Sequence, residues 1–176
     1  MGRILLIVAM LVAASGCKKL DERRYLEEGS AAILPFKRGM KAALMNGLQA
    51  GPDKAIAACS VEAPKLAAEA STGGIRVGRT STKLRNPSNA PKPWMEPVLE
   101  RYAEDVKARE PVVVAIDRQT VGYVEPIYVQ PLCVTCHGDA IAPDIQAALD
   151  ELYPNDQATG YAPGDLRGVF WAELPR

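Results

Sequence analysis

Cys133-Val134-Thr135-Cys136-His137 sets two thiols three positions apart, directly ahead of an imidazole. In such a C-x-x-C-H run each thiol can add across one haem vinyl group, and the histidine then sits beneath the iron as its proximal ligand. C-x-x-C alone also fits a thioredoxin-like redox pair or half of a zinc site. A zinc site needs four ligands, however, and the usual second half is absent. A thioredoxin motif has no need of the histidine. His137 is the only histidine of the chain, and it occupies the one position that c-type attachment requires. The expectation is one covalent haem c on Cys133, Cys136 and His137.

Two cysteines remain, Cys17 and Cys59. Met1-Gly2-Arg3 is a short positive start, Ile4 to Ala14 is an unbroken apolar run, and Ala14-Ser15-Gly16 are small residues ahead of Cys17. Small residues directly before a cysteine look like a bacterial lipobox, although Ala14 stands where leucine is usual. The run is too short for a membrane span, which needs roughly 20 apolar residues. An ordinary cleaved signal peptide is the competing reading. Residues 1–16 are therefore expected to be a lipoprotein signal peptide, with Cys17 lipidated and residues 17–29 forming the lipidated N-terminus and tether. Lipid on Cys17 would hold the domain at a membrane surface in the cell envelope, facing the periplasmic or extracytoplasmic side. Haem attachment of the c type takes place on that side, so the two motifs agree. Cys59 is then a lone thiol in an oxidising compartment, a liability unless buried or bound.

Composition narrows the partners. Lysine plus arginine equals aspartate plus glutamate at 21 each, so no basic footprint for nucleic acid is present. A chain of 176 residues makes one domain with a core of its own, here placed over 30–176.

The elements that must position these groups follow from periodicity. From Ser30, a candidate N-cap, Ile33, Phe36, Met40, Ala43, Leu44 and Leu48 mark one face of a helix with Pro35 in its first turns. Pro52 suits the first turn of a second helix, whose stripe is Ile56, Cys59, Ala63, Leu66 and Ala70. Pro64 has no amide proton for the carbonyl of Ser60, so a kink is expected one turn after Cys59. A short strand within 73–84 precedes turn chemistry over 85–91. Trp94 to Arg109 reads as a helix with Val98, Leu99, Tyr102 and Val106 inward. Val112–Ile116 and Thr120–Val129 form a hairpin that leads into the haem motif. Pro143–Leu152 is helical and Gly168–Leu174 is a last strand. The fold class is α+β: helices first, then an antiparallel sheet of three to five strands interrupted by helices.

Ala55-Ile56-Ala57-Ala58-Cys59, Arg76-Val77-Gly78-Arg79-Thr80-Ser81, Arg85 to Pro91, Cys133 to Gly138, and Ala158-Thr159-Gly160-Tyr161 with Gly164-Asp165 occur in that order. Together they resemble a family of bacterial monohaem c-type domains with a PAS-like sheet, found as small exported proteins and as extracytoplasmic sensor portions of receptors. The resemblance spans about residues 20 to 174. Met95 departs from it, standing where an acidic residue is expected.

The resemblance implies iron held by the motif histidine and by a cysteine thiolate, here His137 and Cys59. On the residues alone Cys59 reads as a buried thiol, and the sixth ligand is methionine, cysteine, lysine, tyrosine or nothing. Met40, Met45 and Met95 are the methionine rivals. Met40 reads as core filler, and Met95 beside Trp94 is the alternative ligand. Arg76, Arg79 and Arg85 are candidates to pair with haem propionates, against a plain reading as solvated charge. Trp94, Tyr123, Tyr128 and Tyr161 are candidates to line the haem, with core packing as their default.

Two roles follow. A thiolate lowers the reduction potential, and its release on reduction or protonation opens the iron to a diatomic gas, which suits redox or gas sensing through a separate redox or signalling protein. An envelope electron carrier is the alternative. An enzyme is not expected, because no second histidine exists to furnish distal acid-base chemistry.

Overall fold

The computed structural model describes residues 20–176 apart from Val106. The expected signal peptide and Cys17 lie outside the described residues. Among those described, no helix is long and apolar enough to cross a membrane.

Helix α1 (Glu22–Ala50) begins nine residues before the expected start. Its N-cap is Asp21, whose carboxylate accepts the Arg24 N–H at 3.2 Å, rather than Ser30. The first two turns are not a free tether: Tyr25 is buried, and Gly29 lies so close to the sheet that a Cβ there would stand 2.2 Å from Tyr123 Cγ. Few apolar residues mark these turns because the glycine itself is the contact. Pro35 is carried inside the helix.

The second helical stretch is α2 (Pro52–Ala57), a π-helical turn (Ala58–Glu62) and α3 (Ala63–Ala70). The kink expected from Pro64 thus takes the form of a π turn that contains Cys59. Such turns insert one residue into a helix and are frequent at functional sites.

Four strands follow: β1 (Arg76–Thr80), β2 (Val112–Ala115), β3 (Thr120–Tyr128) and β4 (Leu166–Pro175). They form one antiparallel sheet in the order β1-β4-β3-β2. Its two faces are covered differently. Val77, Val121, Tyr123, Ala172 and Leu174 pack under Tyr25, Ile33 and Phe36 of α1. Val124 and Val169 pack on the other face against Met95 and against Val98, Leu99 and Tyr102 of helix α4 (Glu96–Glu104). That helix is shorter than the expected 94–109: a 3-10 turn, Pro93–Met95, precedes it, and Val106 lies outside the described residues. The α+β expectation, with an antiparallel sheet and flanking helices, describes the molecule.

After β3 the chain makes a 3-10 turn (Pro131–Cys133), the one-turn helix α5 (Val134–His137) and α6 (Pro143–Leu152). Ile145, Leu149 and Tyr153 lean on Ile56 of α2, which ties the C-x-x-C-H region to the cysteine-bearing helix. Between Ile127 and Tyr128 the β3–β4 register shifts, so that Arg167 has no partner across the ladder.

Candidate functional site

At the end of the sheet where the register shifts, a cavity of about 240 Å³ opens on the α1 face. Met40, Leu44 and Leu48 of α1 form one apolar wall, and Ala55, Ile56 and Cys59 form another. Ile127, Tyr128 and Phe170 close it from the sheet side. Cys133, Cys136 and His137 line it from the C-x-x-C-H segment. The fold therefore brings Cys59 to the same space as a motif more than 70 positions away.

His137 is oriented by backbone. Its Nδ1 lies 2.7 Å from the carbonyl of Ala158, which makes Nδ1 the protonated nitrogen and leaves Nε2 with a free lone pair. Burial, with the Arg167 and Arg85 charges adding to it, pushes the imidazole pKa down to about 3. A neutral ring with one nitrogen held by a carbonyl is the form that ligates metal. Tyr161 meets the ring edge to face at 6.4 Å. Burial raises the Cys136 thiol, Arg85 opposes that, and Cys59 and Cys133 nearby reinforce it. Cys59, Cys133 and Cys136 are all unbridged.

Arg85 is the bracket of the segment. Only 8% exposed, it donates from Nε to Asp156 Oδ2 at 2.8 Å and from Nη2 to the carbonyls of Cys136 and Ala158. The same Ala158 oxygen faces His137, so one guanidinium fixes both the helix and the acceptor that orients its histidine. Asp156 is held in turn, its Oδ1 accepting the Ala158 N–H at 2.7 Å.

The other candidate arginines separate. Arg79 lines the cavity and donates from Nη2 to the Cys59 carbonyl at 3.3 Å. Arg76 does not reach the cavity. It points to the opposite sheet face, where its Nη2 lies 2.7 Å from Glu173 Oε2, an ion pair without an N–H aimed at the oxygen. Lys92 Nζ and Trp94 Nε1 also bind Glu173, at 2.6 and 3.0 Å. Alternation along β1 explains the split, because residues 76 and 79 fall on opposite faces.

Met95, in the turn before α4, is removed as the alternative ligand by its place on the far sheet face. It is 1% exposed, packed among Val98, Leu99 and Tyr102 across the sheet from the cavity. The methionine that lines the cavity is Met40. Of the aromatic candidates, Tyr128 lines it and Tyr161 stacks near His137. Trp94 covers Gly122 on the far face, and Tyr123 lies beneath α1, hydrogen-bonded to Glu125 at 2.9 Å.

Arg167 and Tyr153 were not among the expected site residues, yet both line the cavity. Arg167 is aimed inward by the bulge in β4, where Gly168 (φ +153°) runs so close to β1 that a Cβ would stand 2.2 Å from the Thr80 carbonyl. Among the described residues neither Arg79 nor Arg167 forms an ion pair. Among them too, no three His, Cys, Asp or Glu side chains converge as a cluster for a bare metal ion. A largely apolar slot with three thiols, one oriented imidazole and two guanidiniums that have no carboxylate partner among the described residues suits a flat apolar cofactor with carboxylates at one edge.

Comparison with known proteins agrees with this architecture. The Tll0287-like family profile (Tll0287) matches residues 10–175, and the chain belongs to that family. Among solved structures, it is similar to the cyanobacterial heme-protein Tll0287, with 28% identity and a TM-score of 0.65 over 83% of this chain and 91% of that one. No curated protein matches it.

Proposed function

We propose that this chain is an exported c-type monohaem protein, tethered to a membrane through lipid on Cys17, that acts in redox or diatomic-gas sensing. The observation that carries this reading is the meeting of Cys133, Cys136, His137 and Cys59 around one apolar cavity. The solved relative is a heme-protein, and the residues here fit that group. Cys133 and Cys136 would carry thioether bonds to the two vinyl groups. His137 would offer Nε2, its Nδ1 being held by Ala158, and Cys59 would be the second axial donor. Arg167 is placed to balance the carboxylate edge.

When bound, the haem supplies a one-electron couple and an iron able to exchange a diatomic ligand. The apolar side chains of α1 and α2 exclude water from it. The Cys59 sulfur, as thiolate, donates charge and favours the ferric state. Its departure would free the π turn to move against the sheet, and that movement is the signal passed to a separate redox or signalling protein. No nucleic-acid partner and no enzymatic role is proposed.

Electron paramagnetic resonance of the ferric protein, with and without Cys59→Ala, tests the ligand set. The wild type should give a low-spin thiolate spectrum, and the variant a high-spin one or a methionine-ligated one through Met40. An unchanged spectrum eliminates Cys59. Binding of CO or NO by the ferrous protein with loss of thiolate supports sensing, whereas a haem inert to both assigns the protein to envelope electron transfer.

A further inference from the structure

We propose that Arg79 is the positioning residue for Cys59, acting by supplying the hydrogen bond that Pro64 withholds from the Cys59 carbonyl. This rests on the reading of Cys59 as an axial donor and deepens it.

In the π turn the Ala63 N–H reaches back five residues to the Ala58 carbonyl. The next carbonyl along, that of Cys59, would by the same register accept from residue 64. Residue 64 is proline and has no N–H. The ordinary α-helical donor for Cys59 is the Ala63 N–H, already given to Ala58. Both helical registers therefore leave the Cys59 oxygen without a backbone donor, and a partly buried carbonyl needs one. The donor comes from the sheet: Arg79 Nη2, on β1, lies 3.3 Å away.

Arg79 is well placed to hold that position. Its strand is fixed by pairing with β4, where Arg79 faces Phe170, another cavity residue. The contact thus ties the turn bearing Cys59 to the rigid part of the fold. Without it, the open route to satisfaction is a return to α register, with the Ala63 N–H passing from the Ala58 to the Cys59 carbonyl. Losing the extra residue of a π turn rotates one flank of the helix against the other by about 100°. The Cys59 side chain would leave the cavity wall with it.

The test is a double-substitution cycle on the haem-loaded protein, read by ferric electron paramagnetic resonance and Soret absorption. Arg79→Met keeps the length and apolar contact of the side chain but has no donor. It should cut the ratio of thiolate-bound to thiolate-free haem about tenfold, the order expected for stranding one such carbonyl. Pro64→Ala restores an N–H to residue 64, so in that background Arg79→Met should change the ratio by less than about twofold. A wild-type ratio in Arg79→Met, or an equal loss in both backgrounds, overturns the proposal. The second result would mark Arg79 as a charge partner of the haem carboxylates, a role that does not depend on Pro64. Thermal unfolding of each variant separates loss of the fold from loss of the ligand. A wild-type protein with no thiolate signal overturns the Cys59 reading itself.

Discussion

Arg85→Met should be among the most damaging single substitutions outside the haem ligands. Methionine fills much of the volume but leaves Asp156 a buried carboxylate, 11% exposed, with no cation. Removing one partner of a buried ion pair costs about 3–5 kcal/mol, because the remaining charge is stranded. The Cys136 carbonyl loses its guanidinium donor as well, while Ala158 keeps its contact with His137. In a domain of this size 1 kcal/mol moves Tm by about 2–4 °C, so the expected fall is roughly 6–20 °C. The assay is thermal unfolding of the haem-loaded protein by circular dichroism. Adding Asp156→Asn removes the stranded charge and keeps an oxygen for the Ala158 N–H, so the double variant should recover at least half of the lost Tm. A shift of less than about 3 °C for Arg85→Met, or a double variant less stable than the single, refutes the bracket.

Two further outcomes test the frame around the site. Gly29→Ala places a Cβ within 2.5 Å of three Tyr123 atoms, a contact that only a shift of α1 relieves; urea unfolding should show a loss of about 1–3 kcal/mol or more, and a neutral result would mean α1 is not seated as described. Glu173→Gln probes the polar cluster beneath Trp94. Burial alone would raise this carboxyl, but the Lys92 and Trp94 hydrogen bonds and the Lys92 and Arg76 charges outweigh it and hold the group below the usual range. A carboxyl with a lowered folded pKa adds stability above its unfolded value, near about 4.3, and loses it as pH falls through the folded one. The variant should therefore be less stable than the wild type at pH 7, with the gap closing in acid; a gap that does not change with pH contradicts the assignment.

Much of this was legible in residue types. Helix α6 runs Pro143–Leu152 as its proline start and apolar spacing require. The C-x-x-C-H motif, its single histidine and the missing Pro64 proton are local facts; they located the motif and announced an irregular helix, but the irregularity expected one turn after Cys59 falls on the turn that contains it. What depends on tertiary packing was not legible. The stripe Ile56, Cys59, Ala63, Leu66 fits a straight helix, so the π turn shows only in the backbone. Met95 is adjacent in sequence to Trp94, but the sheet lies between it and the cavity. Arg167 enters the site through a bulge, and the only trace of that in the sequence is Gly168. Arg76 and Arg79 look alike until strand alternation sends them to opposite faces. The early start of α1 was hidden because its contact with Tyr123 is made by a glycine.

The proposed function stands on a porphyrin bonded through Cys133 and Cys136. Its most direct test is mass spectrometry of the denatured, proteolysed protein after expression in a host that exports and matures c-type haem. The peptide spanning residues 133–137 should carry the mass of one haem, and Cys133→Ala with Cys136→Ala should abolish it. A peptide of unmodified mass from a preparation that was coloured before denaturation would contradict it.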